Sequence, residues 1–145
     1  MRALIQRVER AAVRVGAVTA GEIGPGLCVF VGVTHDDDAA SAHKLADKIW
    51  NVRVFDDDEG VMNRALSDGC GDVLVVSQFT LYGDTSRGRR PSWIAAARPD
   101  VAEPLVDTVV ESLRGLGATV QTGRFRAEMH VELVNDGPVT LLIET

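Results

Sequence analysis

Two hydroxyl side chains and an amide stand close together in the stretch VVSQFTLYGD, residues 75–84. Ser77 and Thr80 are potential nucleophiles, and the amide of Gln78 can donate and accept hydrogen bonds. A hydroxyl at its ordinary pKa is a weak nucleophile that needs an adjacent base, but neither a histidine nor a GxSxG elbow accompanies these residues. Their types suit the building of a pocket, with Phe79 packing beside them, better than nucleophilic attack. Thr80 stays open as an alternative nucleophile.

A second candidate is the stretch NDGPVT, residues 135–140. Asn135, Asp136 and Gly137 are turn residues, so the simplest interpretation is a hairpin loop between two strands. Proline cannot donate to a strand ladder, and an X–Pro bond is the place where a cis peptide costs little, within about 1 kcal/mol of trans. A cis Gly137–Pro138 peptide would turn consecutive carbonyls outward in a fixed direction, which is a means of recognition without a side chain.

A third candidate is the basic cluster formed by Arg87, Arg89 and Arg90. The chain has a formal net charge of −6, so long-range attraction to nucleic acid is not the default expectation. The cluster is a local exception. It is either a solvated loop or a loop that contacts phosphates, because arginine forks match phosphate oxygens.

Length and composition predict one globular domain covering residues 1–145, with 46% apolar and 25% charged residues. The longest apolar run, Leu27–Val33, is too short to span a bilayer. The amino-terminal residues lack the apolar region of a signal peptide, so we expect a cytoplasmic protein without membrane contact.

No residue pattern predicts a metal site. Cys28 and Cys70 lack metal-binding spacing, and Cys28 lies in an apolar run typical of a buried, inert thiol. The three histidines are scattered. The acidic runs at 35–38 and 56–59 are interpreted as a helix start and a solvated loop.

The hydrophobic periodicity predicts a strand at 2–8 that is continued by 12–15, and strands at 18–23, 27–33 and 73–76. Two further strands are predicted before and after the NDGP turn. Apolar residues at helical spacing predict one helix through 42–52, started by Asp37 or Asp38, and another over 101–116, capped by Asp100. This order predicts an α+β fold of mostly antiparallel sheets, barrel-like or two-layered, with two main helices packed on one side. The apolar last strand would need a cover or a partner chain.

Taken together, SQFTLYGD at 77–84 and NDGPVT at 135–140 resemble the motifs of the D-aminoacyl-tRNA deacylase family. The opening MRALIQRV and the segment TGRF at 122–125 extend the resemblance over the whole chain. Two positions depart from the family pattern. Arg126 stands where a small residue, commonly glycine, is expected, and Gly83 replaces a commoner alanine, which is interpreted as conservative.

The resemblance implies a homodimeric hydrolase that needs neither metal nor cofactor and cuts the ester between a D-amino acid, or glycine, and the 3′ end of tRNA. Residues Ser77–Thr80 would form the pocket floor. Gly137 and Pro138 would be a Gly-cisPro element that enters the partner subunit's pocket and rejects L-amino acids. Arg7 would orient that element, and Met129 would lie near the terminal adenine.

Two mechanisms follow for such an ester. The neighbouring 2′-hydroxyl of the ribose can assist water while the backbone N–H groups of Phe79 and Thr80 stabilise the oxyanion, or Thr80 can attack covalently. Two other functions compete. A nucleic-acid-binding module would use the arginine cluster but lacks interleaved aromatic residues, and a general esterase would need a base-activated nucleophile that the sequence does not display.

Overall fold

A computed structural model describes all residues from Met1 to Thr145. A six-stranded mixed sheet forms its centre, together with a two-stranded hairpin. The strands are β1 (Arg2–Val15), β2 (Val18–Ile23), β3 (Gly26–Gly32), β4 (Phe55–Asp56), β5 (Met62–Arg64), β6 (Asp72–Ser77), β7 (Val120–Thr122) and β8 (His130–Glu144). The helices are α1 (Ala39–Asn51) and α2 (Pro99–Leu116).

The long strand β1 organises the sheet, because it pairs antiparallel with β2 and β3 along one edge and with β8 along the other. Beyond β3 the sheet continues in parallel through β6 and β7. The sheet curls until β2 reaches β7, and a Cβ on Gly21 would lie 2.6 Å from the carbonyl oxygen of Thr122. The predicted α+β fold with a barrel-like, mostly antiparallel sheet is confirmed.

The two helices cover one side of this sheet, as their sequence stripes predict. Ala42, Leu45, Ala46 and Ile49 of α1 and Val106, Val109, Val110 and Leu113 of α2 are buried in one core with alternate residues of the strands. A smaller apolar cluster fills the opposite face of the sheet and includes Cys28. Burial raises the pKa of the Cys28 thiol to about 12, which fits the inert thiol expected there.

The helix ends agree only in part with the sequence. Asp38 caps α1, and its side chain accepts a hydrogen bond from the N–H of Ser41, as predicted. The predicted cap for α2 is wrong, since the helix begins at Pro99 after Arg98, and Asp100 lies inside its first turn. Proline at the first helical position has no N–H to satisfy, and its fixed φ suits the helix start.

The end of the chain differs most from the prediction. Residues 130–144 form one strand that runs along β1, rather than two strands joined by a hairpin loop. Gln6 pairs with Thr140 and Val8 with Asn135, so four residues of β8, 136–139, bulge out opposite Arg7 alone. The bulge places Gly137 and Pro138 on the surface while both halves of β8 keep their pairing.

Candidate active site

A cavity of about 610 Å³ lies where β3, β6 and α2 meet, and its walls are mostly apolar. Ser77, the last residue of β6, lines it together with Gln78 and Phe79, which follow directly. Met129 lines it as well, so four of the predicted site residues come together in one cavity. Cavities of this size suit a ligand of a few hundred daltons, and apolar walls with few polar groups are typical of binding pockets.

A short 3-10 turn over residues 79–82 shapes the cavity next to Ser77. The N–H of Gln78 bonds to the carbonyl oxygen of Val31 at 2.7 Å, which ties the start of the turn to β3. The turn packs directly on Gly32, where a Cβ would lie 3.0 Å from the Cβ of Leu81 and 3.1 Å from the carbonyl oxygen of Gln78. Glycine at position 32 therefore permits this close approach.

The same turn leaves two backbone donors free. Neither the N–H of Phe79 nor that of Thr80 bonds to an acceptor elsewhere in the chain. The first residues of a 3-10 turn also have no acceptor within it. Two adjacent N–H groups beside an apolar cavity are the kind of donor that stabilises an oxyanion in acyl-transfer chemistry.

Thr80 has no base beside it. Its hydroxyl accepts a hydrogen bond from the side-chain amide of Gln78, and the residue is exposed outside the cavity lining. The ring of His35 bonds to the carbonyl oxygen of Ile94, and that of His43 bonds to Ser112. His130 stands at the start of β8, opposite Arg14. No group of three His, Cys, Asp or Glu side chains is placed to hold a metal.

Arg2 and Tyr82 hold the far end of the turn. The guanidinium of Arg2 lies 4.6 Å from the centre of the Tyr82 ring and donates to the carbonyl oxygen of Leu81 at 3.0 Å. Arg2 is also paired with Glu144 at 2.6 Å. Burial and the nearby Asp37 carboxylate raise the pKa of Tyr82 to about 12. The turn is thus braced from the end of the β1–β8 pair at which Arg2 and Glu144 meet.

Two aromatic rings form the rim of the cavity. Phe79 and Trp93 meet edge to face, with ring centres 5.4 Å apart. A Cβ on Gly83 would lie 2.5 Å from Cζ3 of Trp93, so an alanine there requires the indole ring to shift. Interpreting Gly83 as a conservative replacement is therefore wrong, because glycine makes room for Trp93.

The arginine cluster lies on an exposed loop close to this rim. Asp84 and Ser92 close the base of the loop with two backbone hydrogen bonds of 2.8 Å. Arg87, Arg89 and Arg90 project from it and pair with no carboxylate of the chain. The loop leads directly into Trp93, so three free cations stand near the cavity mouth.

Arg7 lies behind the β8 bulge and is nearly buried. Its Nη1 donates to the carbonyl oxygen of Val54 at 2.7 Å and to Asp56 at 3.2 Å. Its Nε lies 3.0 Å from a carboxylate oxygen of Asp136, although the N–H is not aligned for a hydrogen bond. Arg7 therefore connects the β4–β5 hairpin to the first residue of the bulge.

Asn135 closes the base of the bulge. Its side-chain amide donates to the carbonyl oxygens of Arg7 at 2.9 Å and Val139 at 3.0 Å. The Gly137–Pro138 peptide lies between Asn135 and Val139 and is cis, as the sequence predicts. Gly137 and Pro138 are both exposed. Neither lines the cavity of its own chain. The structure thus separates the two motifs that the sequence singles out.

Sequence reasoning missed several residues that shape these features. No chemical role was expected for Trp93, Arg2, Asn135 or Asp56, because each acts through a partner distant in the chain. The signal available for Asn135 was its place at the start of the NDGPVT stretch. The hairpin β4–β5 and strand β7 were missed because they have only two and three residues.

The chain is similar to known proteins along its whole length. A family model described as D-Tyr-tRNA(Tyr) deacylase matches residues 4–144. The D-aminoacyl-tRNA deacylase of Symbiobacterium thermophilum is 57% identical over 145 residues, covering 100% of this chain and 96% of that protein. The D-aminoacyl-tRNA deacylase of Mycolicibacterium smegmatis is 58% identical over 147 residues, covering 99% of each.

Two solved structures share the fold. One, named c-Myc DNA Unwinding Element Binding Protein, superposes with a TM-score of 0.94 at 36% identity and covers 100% of this chain and 99% of its own. The other, a probable eukaryotic D-amino acid tRNA deacylase, superposes with a TM-score of 0.85 at 17% identity, covering 99% and 98%. No helix of this chain is both long and apolar enough to cross a membrane.

Proposed function

The chain belongs to the D-Tyr-tRNA(Tyr) deacylase family, and we propose that it hydrolyses the ester joining a D-amino acid to the 3′-terminal ribose of tRNA. The observation on which this depends is the apolar cavity beside two free backbone N–H groups, those of Phe79 and Thr80. The products are free tRNA and the D-amino acid. The activity would proofread aminoacylation in the cytoplasm, where charged tRNA is used.

The reaction needs an oxyanion site and an activated water, and the proposed residues supply the first. Water adds to the ester carbonyl and loses a proton, and the carbonyl oxygen becomes an oxyanion facing the two N–H groups. The bond to the ribose 3′-oxygen then breaks, and that oxygen takes up the proton. A well-placed donor of this kind contributes about 3–4 kcal/mol to lowering the barrier. Thr80 lacks a base, so we assign the assistance of water to the neighbouring 2′-hydroxyl of the substrate.

We propose that Gly137 and Pro138 select against L-amino acids from the partner subunit. Mirror-image side chains are equally hydrophobic, so an apolar cavity cannot separate them by burial, and a selector must block the direction of the L side chain. Gly137 has no Cβ and can approach the substrate closely. Both residues are exposed and neither lines the cavity of its own chain, which supports an action on a second chain.

The proposed homodimer is supported by the free edge of β8. This strand pairs only with β1, and Leu141 and Leu142, on opposite faces of the strand, are 42% and 53% exposed. An unpaired apolar strand edge is a liability that association with another chain removes. A two-fold axis at this edge would use the same surface of both chains and would carry each bulge towards the partner.

The function is tested by the stereochemistry of turnover. We expect rapid deacylation of D-tyrosyl-tRNA, no acceleration with L-tyrosyl-tRNA, and acceptance of glycyl-tRNA, including glycine mischarged on tRNA-Ala, because glycine has no side chain to exclude. The measurement is release of free amino acid, with a small D-amino-acid ester as control. Turnover of the small ester at a rate similar to that of D-tyrosyl-tRNA would indicate a general esterase. If the protein hydrolysed neither the charged tRNAs nor the small ester, it would be a binding module.

Replacing Thr80 by alanine should preserve activity to within about tenfold, a change in barrier of roughly 1.4 kcal/mol. The hydroxyl is not the nucleophile in the proposed reaction, and the loss reflects only its hydrogen bond with Gln78. The matched comparison is a substrate ending in 2′-deoxyadenosine, which should lose more activity than the variant does. A loss of several orders of magnitude in Thr80→Ala with intact binding, or a trapped acyl-enzyme, would instead support covalent catalysis.

Neutralising Arg87, Arg89 and Arg90 together should weaken tRNA binding and reduce its salt dependence. Each phosphate contact to single-stranded RNA contributes a slope of about 0.7 in log affinity against log salt concentration, so three lost contacts remove about 2. The measurement is tRNA affinity at several salt concentrations, with Arg53→Gln, an exposed arginine on the hairpin side of the chain, as the control. An unchanged slope would mean that the cluster is only a solvated loop.

A further inference from the structure

Arg126 has a backbone conformation that its side chain disfavours. Its φ is +59°, and it is the only residue other than glycine with a positive φ. Glycine adopts this left-handed region freely, whereas a residue with a Cβ meets steric repulsion there. Glycine, which has no Cβ, would fit this turn better. The backbone conformation therefore does not explain why an arginine stands here.

No ion pair within the chain explains the arginine at position 126. Arg126 lines the cavity beside Phe125, Ala127 and Met129, yet it is exposed and forms no salt bridge. The other cavity residues are mostly apolar, and no aspartate or glutamate lines the cavity. Arg126 is therefore the one charged residue that lines the cavity, and its guanidinium has no counter-ion.

We propose that Arg126 binds the 5′-phosphate of the terminal nucleotide of the tRNA substrate, an inference that rests on the proposed function. The amino group of an aminoacyl ester is cationic, so the arginine is not placed to bind the amino acid. The first anion along the substrate from the ester is the phosphate on the 5′ side of the same nucleotide. An arginine fork forms two charge-assisted hydrogen bonds with such a group.

This role differs from that of Arg87, Arg89 and Arg90, which project from the loop before Trp93 and do not line the cavity. Those side chains would meet phosphates further along the strand. Arg126 instead sets how deeply the terminal nucleotide enters, because it belongs to the cavity wall itself. We therefore expect its loss to affect substrate affinity and not the chemical step.

The test compares Arg126→Gln with Arg124→Gln. The second variant also removes one positive charge, but from a residue that lies two positions earlier and does not line the cavity. Arg126→Gln should raise KM for D-tyrosyl-tRNA about tenfold and keep kcat within about twofold of the wild-type value. The slope of log affinity for tRNA against log salt concentration should fall by about 0.7. Arg126→Lys should restore part of the affinity, and Arg124→Gln should behave like wild type. With 3′-D-tyrosyl-adenosine, which has no phosphate, Arg126→Gln and the wild type should have equal KM values.

A second measurement is independent of catalysis. Wild-type protein should bind adenosine 5′-monophosphate more tightly than adenosine in calorimetric titrations, and Arg126→Gln should bind the two equally. Equal binding by the wild type, or an equal loss for Arg126→Gln with the phosphate-free ester, would overturn the assignment. Failure of the wild type to deacylate D-tyrosyl-tRNA, with the nucleotide preference intact, would overturn the proposed function instead. A dissociated dimer in Arg126→Gln would assign the side chain to the subunit interface and also overturn the proposal.

Discussion

Alanine at position 137 should lower kcat/KM for D-tyrosyl-tRNA by about 100-fold or more, equivalent to roughly 2.7 kcal/mol of transition-state stabilisation. Gly137 has a φ of +118°, a region that side-chain-bearing residues rarely adopt. Its Cβ would lie 2.8 Å from Cγ2 of Val139, 2.9 Å from the N–H nitrogen of Val139 and 3.2 Å from Nη2 of Arg7. The bulge must therefore change shape, and the proposed selector loses its position.

The rest of the molecule should tolerate this change. The bulge is exposed, and β8 pairs with β1 on both sides of it, so the strand ladder has no need of residue 137. We expect the circular dichroism spectrum of Gly137→Ala to match that of the wild type, with a decrease of a few degrees in Tm. Discrimination between D- and L-tyrosyl-tRNA should fall together with the rate.

Gly60→Ala is the matched control, because Gly60 also has a positive φ, +76°, but no atom lies within 4 Å of its Cβ position. It introduces a similar backbone cost in the β4–β5 hairpin and should leave kcat/KM unchanged to within about twofold. Wild-type activity in Gly137→Ala would contradict the assignment of the bulge to substrate selection. A loss of the folded state would be visible in the spectrum and would distinguish instability from altered function.

The elements governed by local periodicity could be predicted from the sequence, whereas the long-range pairings could not. The stripes of α1 and α2 are visible in residues three and four apart, and their buried faces agree with the structure. The sequence predicts two strands in place of β8, because Asn135, Asp136 and Gly137 are turn residues. Its continuity depends on pairing with β1, more than a hundred residues away, which no local pattern records.

The same limit applies to the candidate site. The types of Ser77, Gln78 and Phe79 indicated a pocket, and they line one. The free N–H groups depend on the backbone path of the turn, and the fit of Gly83 depends on Trp93, a ring that the sequence places ten residues away. Chemical groups could thus be predicted from residue types, but their partners required the fold.

Two inactive variants should restore activity to each other if each site is built from two chains. Gly137→Ala damages the bulge and keeps the cavity, whereas Ala127→Trp fills the cavity from its loop and keeps the bulge. Each variant alone should retain a few per cent of wild-type activity at most. In a mixed dimer, the intact cavity of one chain faces the intact bulge of the other, so one of the two sites is complete.

Random reassembly of equal amounts gives half mixed dimers, so the mixture should show about a quarter of wild-type activity, measured as D-tyrosine release from D-tyrosyl-tRNA. The control replaces the second partner by a chain with both substitutions. Its mixed dimers with Gly137→Ala lack any intact bulge, and no activity should return. A single-chain site predicts no recovery in either mixture, and a fully active monomer in sedimentation would exclude the composite site directly. Recovery in the first mixture alone therefore requires that the cavity formed by Ser77–Phe79 and the bulge bearing Gly137 act together across the subunit interface.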